Sequence, residues 1–135
     1  MKSMPKIGTY MDTVVPTLSP DTRIMEAVDF LLRHRVTGAP VVDSDGELVG
    51  IITETDLLKL VTEGVQGEPP TDATVAEYMT RDVVTVPPTV DIYYIAGMFL
   101  ANKFRRLPVV ENGKIVGAIT RFDLLRVIRT HSNIR

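Results

Sequence analysis

Two short stretches of the chain have the residue types and spacing to hold a nucleotide. Val49–Leu60 reads VGIITETDLLKL and Val116–Val127 reads VGAITRFDLLRV; seven of twelve positions are identical, among them Gly50/Gly117, Thr53/Thr120 and Asp56/Asp123. In each, a strand-like apolar run passes into a helix, which places a threonine hydroxyl at the helix start and a carboxylate three residues on. A free helix N-terminus offers unpaired N–H groups and a positive dipole end, a ready anion site. The hydroxyl adds a donor to a phosphate, and a carboxylate accepts both hydroxyls of a ribose, as the acidic residue of dinucleotide folds does. The spacing suits an adenosine phosphate laid across the helix start. Thr-x-x-Asp is equally a plain capping motif that needs no ligand. On local pattern alone both readings stand, and they can coexist.

The two copies differ in charge. Arg105-Arg106 precedes Leu107-Pro108 and Arg121 follows Thr120, whereas the first copy has Thr37-Gly38 and Glu54 at the matching positions. Arginine binds phosphate in bidentate fashion, so the Thr120/Asp123 corner is expected to bind more tightly than Thr53/Asp56. A solvated loop is the alternative for Arg105 and Arg106. Arg33, His34 and Arg35 read as an exposed helix end, favourable to its dipole. The two histidines, His34 and His131, fall at unmatched places. No nucleophile–base pair, metal-ligand cluster or phosphate-binding glycine loop is visible, so the expectation is no enzyme activity, no metal and no catalytic cofactor.

The elements that position these corners repeat as well. Tyr10-Met11 matches Tyr78-Met79, and Ala39–Val42 matches Leu107–Val110, at an offset of 78 − 10 = 68; beyond the hairpin turn it becomes 120 − 53 = 67. Two copies, too few for a solenoid, imply a pseudo-twofold pair. Each reads β-α-β-β-α, an α/β (α+β) unit. The first strands are Val14–Leu18, interrupted by Pro16, and Val83–Val86. Pro20-Asp21-Thr22 supplies helix-start residues. Ile24, Ala27, Val28, Leu31 and Leu32 then form one apolar face, as do Ile92, Ile95, Ala96, Phe99 and Leu100. Strands Ala39–Val42 and Leu48–Ile52, then Leu107–Val110 and Ile115–Ile119, are joined through Asp45-Gly46 and Asn112-Gly113, both strong hairpin dipeptides. These strands are apolar enough to be covered on both faces. The final helices are expected to pack through Leu57, Leu58 and Val61, or Leu124, Leu125 and Ile128. Gly64 to Asp72 reads as linker, and Thr74-x-x-Glu77 as a capping box on a lead-in helix. The expected division is residues 7–66, a linker 67–73, and residues 74–135. One such unit buries little surface alone, so a single body with a cleft where the sheets meet is expected. Tyr93, Tyr94 and Met98 lie beyond the core face of their helix, and a subunit contact is favoured over packing on the other repeat.

The chain has 135 residues, a formal net charge of −2 and no cysteine, which excludes disulfides, thiol catalysis and Cys-ligated metals. Near-neutral charge argues against a nucleic-acid binder built on phosphate contacts. The N-terminal stretch lacks a signal-like apolar core and no run approaches a membrane span, so a soluble, cytoplasmic protein with no membrane partner is expected.

Taken together, YMTRDVVTVPP, HRVTGAPVV, FRRLPVV and the two G-x-x-T-x-x-D turns resemble the paired cystathionine β-synthase (CBS) domains, the Bateman module, over nearly the whole chain. The resemblance implies regulatory binding of an adenosine ligand such as AMP, ADP, ATP or S-adenosylmethionine, usually without catalysis. It gives Thr120, Asp123, Thr53 and Asp56 the phosphate and ribose roles argued above. It slots adenine between apolar residues of the first strand and the hairpin, here Val84, Pro108 and Ile119, or Val15 and Pro40. Such pairs are commonly attached to enzymes, channels or kinases, as in inosine monophosphate dehydrogenase; a stand-alone pair, expected here, commonly forms a flat homodimer and can serve an unidentified target protein. The rivals are an interaction scaffold with empty pockets and a nucleic-acid-binding accessory.

Overall fold

The structure, a computed structural model, describes residues 5–63 and 72–131. It divides into two compact units: Pro16–Val83, and the stretch up to Val15 together with Val84 onward. The cuts fall one repeat apart, at 84 − 16 = 68. The units are therefore framed differently from the sequence copies. Residues 5–15 pack with the second copy, and Ala73–Val83 with the first. Residues 64–71 of the expected linker lie outside the described residues.

The continuous unit contains α1 (Ile24–His34), a hairpin of β1 (Gly38–Val42) and β2 (Leu48–Thr53), α2 (Glu54–Glu63) and α3 (Val75–Tyr78). Helix α1 buries Ile24, Ala27 and Leu31 from the face read in sequence, together with Phe30, which lies outside that reading; Val28 is half-buried. The N-cap of α1 is Arg23, with no side-chain cap bond, rather than a residue of Pro20-Asp21-Thr22. The orphan Ile24 N–H instead donates to the Ala73 carbonyl at 2.9 Å. The helix stops where Arg35 turns left-handed, at φ 54. Strands β1 and β2 are antiparallel, with a bulge that makes Val49 the extra residue. At their turn Asp43 Oδ1 accepts the Asp45 and Glu47 N–H groups, at 2.9 and 3.0 Å. Gly46 takes φ 81, open to glycine without strain. The capping box on α3 is present: the Glu77 carboxylate accepts the Thr74 N–H at 2.8 Å.

The split unit repeats this plan with α4 (Ile92–Ala101), β3 (Arg106–Glu111), β4 (Lys114–Thr120) and α5 (Arg121–His131). Here Asp91 caps α4, accepting the Tyr94 N–H at 3.0 Å, and the Ile92 N–H donates to the Pro5 carbonyl at 3.1 Å. The hairpin turns on Asn112 and Gly113, at φ 55 and 79. This two-residue turn accounts for the one-residue change of offset.

Three expectations change. The first strand of each copy is reduced to a single parallel bridge, Leu18 to Val41 and Val86 to Val109; Pro16 and Pro87-Pro88 deny those segments further donors. Ala39-Pro40-Val41 and Leu107-Pro108-Val109 are buried on both faces, but β2 is only intermittently so. Third, Leu58, Val61, Leu125 and Ile128, expected in the core, are more than half exposed, as are Leu32 and Leu100. The inner faces of α2 and α5 are Asp56, Leu57 and Leu60, or Asp123, Leu124 and Val127. A buried carboxylate takes the place of an apolar side chain there, which rotates the inner face by one residue.

Two glycines of the repeated motif have a packing reason. A Cβ on Gly50 would meet Met79 Sδ at 2.6 Å and the Thr80 carbonyl at 3.0 Å. On Gly117 it would meet Met11 Sδ at 2.5 Å and the Asp12 carbonyl at 2.8 Å. The Tyr-Met segments thus lie directly on the hairpins, bonded through Thr80 to Ile51 and through Asp12 to Ala118.

Candidate functional site

In the continuous unit, β2 runs into α2 without an intervening loop, so Thr53 sits at the N-cap of α2. Asp56 is 5% exposed. Its Oδ2 accepts both the Thr53 N–H, at 2.9 Å, and the Thr53 hydroxyl, at 3.0 Å. The Asp56 N–H donates back to Thr53 Oγ1 at 3.4 Å. This is the reciprocal cap, made with aspartate in place of glutamate. The other oxygen, Oδ1, accepts the Thr80 hydroxyl at 3.1 Å. A carboxylate this buried needs these donors to remain there.

The split unit builds the same corner. Asp123 is 4% exposed, and its Oδ2 accepts the Thr120 N–H at 2.7 Å and the Thr120 hydroxyl at 3.1 Å. Its Oδ1 is held by the Arg126 guanidinium instead of a hydroxyl. The position matching Thr80 is Asp12 (80 − 68 = 12), which has no donor to offer; its carboxylate lies 3.7 Å from Arg106. Thr80 and Arg126 were not singled out in the sequence. The Asp12/Thr80 mismatch was the available signal.

Two of the arginines expected at a phosphate, Arg121 and Arg106, have partners within their own unit. Arg121 donates to the Phe99 carbonyl at 2.9 Å and the Phe104 carbonyl at 3.4 Å, with its guanidinium 5.7 Å from the Phe99 ring centroid. It therefore caps the last turn of α4. Arg106 lies opposite Thr120 in the hairpin register, where the first copy places Gly38 opposite Thr53; its Nε is buried with no hydrogen-bond partner. Arg105 is exposed. Glu54 begins α2, its N–H donating to the Thr37 carbonyl at 2.8 Å. Of the apolar candidates, Val84 is partly open, Val15 is half-buried, and Pro40 and Pro108 are buried. Ile119 has no exposed surface and belongs to the core of its unit. Val15 falls in the split unit, away from the copy to which the sequence assigned it.

The CBS domain model matches residues 7–63 and 75–130. The chain belongs to the CBS domain family. Its two copies form a CBS pair of mixed α/β architecture. Among curated relatives, the uncharacterized protein MJ1225 of Methanocaldococcus jannaschii is 34% identical over 90% of this chain and 42% of its own length. The chain thus spans under half of that relative. Among solved structures, CBSX2 in complex with AMP is 30% identical, covering 93% of this chain and 96% of its own, with a TM-score of 0.79. The CBS pair of protein MJ0100, in complex with 5′-methylthioadenosine and S-adenosyl-L-methionine, is 27% identical over 95% of this chain and 98% of its own, with a TM-score of 0.77.

A separate depression of about 580 Å³ in the continuous unit is lined by Lys59, Glu63, Asp72, Ala73, Glu77, Tyr78 and Met79. None of the residues singled out as ligand contacts lines it. Burial first, then the negative Glu63 that accepts its hydrogen bond, and Glu77, push the Tyr78 hydroxyl above the usual tyrosine pKa. Among the described residues no group of acidic or histidine side chains is placed to hold a metal, and no helix is long and apolar enough to cross a membrane.

Proposed function

We propose that this CBS pair is a regulatory, non-catalytic module that binds an adenosine-containing ligand at its Thr-x-x-Asp corners. The observation that carries the reading is the buried carboxylate at each helix start, Asp56 and Asp123, with one oxygen fixed by threonine and the other turned toward groups able to leave it. A ribose diol can take that second oxygen, and a phosphate group can lie toward the helix start and its hydroxyl. Similarity to proteins solved with AMP, 5′-methylthioadenosine and S-adenosylmethionine supports the ligand class. Val15, Val84, Pro40 and Pro108 are the apolar candidates beside the base, and Arg105 and Arg106 the candidates for phosphate. A thermal-shift panel of AMP, ADP, ATP, NAD, S-adenosylmethionine and GTP tests the proposal. Ligand at one hundred times its dissociation constant stabilises by about 2.7 kcal/mol, and a flat panel at millimolar concentration refutes the reading.

One observation favours the rival of an interaction scaffold: each corner satisfies its own hydrogen bonds, so neither requires a ligand to be stable. The module is further proposed to act in the cytoplasm as a homodimer. Tyr93 and Tyr94 on α4 are largely exposed, as are Leu58 and Val61 on α2 and Phe122, Leu125 and Ile128 on α5. Met98, expected with the tyrosines, packs on the core of its own unit. Apolar stripes of this extent favour a second copy as cover.

A further inference from the structure

We propose that Arg126 is a built-in occupant of the Asp123 corner, which a riboside must displace, whereas the Asp56 corner is open to a riboside without displacing a charge. The proposal rests on the adenosine-ligand reading above and adds to it a difference in threshold between the two corners. At Asp123, Oδ2 is taken twice by Thr120, so Oδ1 is the oxygen left for a diol, and Arg126 holds it. The Arg126 side chain is 63% exposed and stands one turn along α5, so a rotamer change releases it into water. A guanidinium has donors and no acceptor. Thr120 fills both acceptor positions of Oδ2, so the two hydroxyls of a diol need both positions of Oδ1, and Arg126 holds one of them.

The Asp56 corner works differently. Thr80 is pinned through its backbone, with N–H and carbonyl both bonded to Ile51 at 2.8 Å, and only its hydroxyl turns. A hydroxyl donates and accepts, so Thr80 stays beside a bound diol as a further contact. The position matching Arg126 is Lys59 (126 − 67 = 59) on α2, and it makes no bond to Asp56, whose partners are Thr53 and Thr80. Occupation of Asp123 therefore depends on ionic strength, and occupation of Asp56 by an uncharged riboside does not.

The test is a titration of adenosine, which carries no phosphate, into the full chain and into Arg126→Gln, following the amide signals of Thr53 and Thr120 by NMR. Each amide is bonded to the carboxylate of its own corner, so one protein reports both. In the parent, raising the salt is expected to tighten binding at Thr120 and leave Thr53 unchanged. Arg126→Gln is expected to tighten the Thr120 corner about two- to five-fold, the range of an exposed ion pair, and to remove its salt dependence. Unchanged or weakened binding at Thr120 in Arg126→Gln, with Thr53 still responding, overturns this inference alone. Failure of adenosine to move either amide in either folded protein overturns the ligand reading and this inference with it.

Discussion

Removing the Asp123 carboxylate tests the corner as a structural device independently of any ligand. As a plain first-turn acid at an exposed helix start, it would contribute about 0.3–1 kcal/mol through the helix dipole. The structure gives it a larger share, because Asp123 is 4% exposed and accepts both donors of Thr120. Hydrogen bonds to a charged group contribute about 1.5–3 kcal/mol each. Asp123→Ala breaks two, but the hydroxyl can turn elsewhere and the Arg126 pair adds little. The expected loss is about 2–4 kcal/mol, centred on the orphaned Thr120 N–H. For a chain of this length that corresponds to a fall in Tm of roughly 8–15 °C. Asp123→Asn keeps an acceptor for Thr120 and should lose less than half as much. Urea unfolding followed by circular dichroism, with the slope unchanged, gives the differences. A loss below about 1 kcal/mol for Asp123→Ala would return the residue to the weak dipole role and refute the buried-cap account.

Other outcomes follow from the same contacts. Gly117→Ala should destabilise by about 1–3 kcal/mol and somewhat more than Gly50→Ala, because a methionine sulfur is nearest at both but the rigid backbone carbonyl lies at 2.8 Å from the Gly117 Cβ, against 3.0 Å at Gly50; paired melting curves rank them. Glu77→Ala removes one arm of the α3 capping box and should cost about 0.5–2 kcal/mol, read by the same melts. Light scattering at micromolar concentration should return a dimer mass, and Leu125→Glu should shift it toward monomer; a parent monomer mass removes the dimer proposal.

Local chemistry made much of this fold legible. Asp45-Gly46 and Asn112-Gly113 marked both turns because positive φ demands such residues, and the spacing of Ile24, Ala27 and Leu31 marked the buried face of α1. The Thr-x-x-Asp cap was readable from two residues and their spacing alone. What escaped was non-local. The exchange of Tyr-Met segments between sequence copies depends on which hairpin each one crosses, and only Gly50 and Gly117 hinted at a close approach. Arg121 looked like a phosphate ligand because its partners, the Phe99 and Phe104 carbonyls, are backbone groups that leave no mark in a sequence. Helical periodicity points Leu58 and Leu125 inward because it counts apolar residues and does not foresee a buried aspartate on the inner face.

The central claim is that Asp56 and Asp123 are the groups on which an adenosine ligand is held. Calorimetric titration of AMP and S-adenosylmethionine into the parent and into the double variant Asp56→Asn/Asp123→Asn tests it most directly, since asparagine keeps an acceptor for each capping threonine while weakening the grip on a ribose diol. The account predicts saturable heat with at least one ligand in the parent, and affinity at least ten-fold weaker in a double variant that still melts cooperatively. Equal affinity in the two proteins, or no heat in the parent at millimolar ligand, would contradict it.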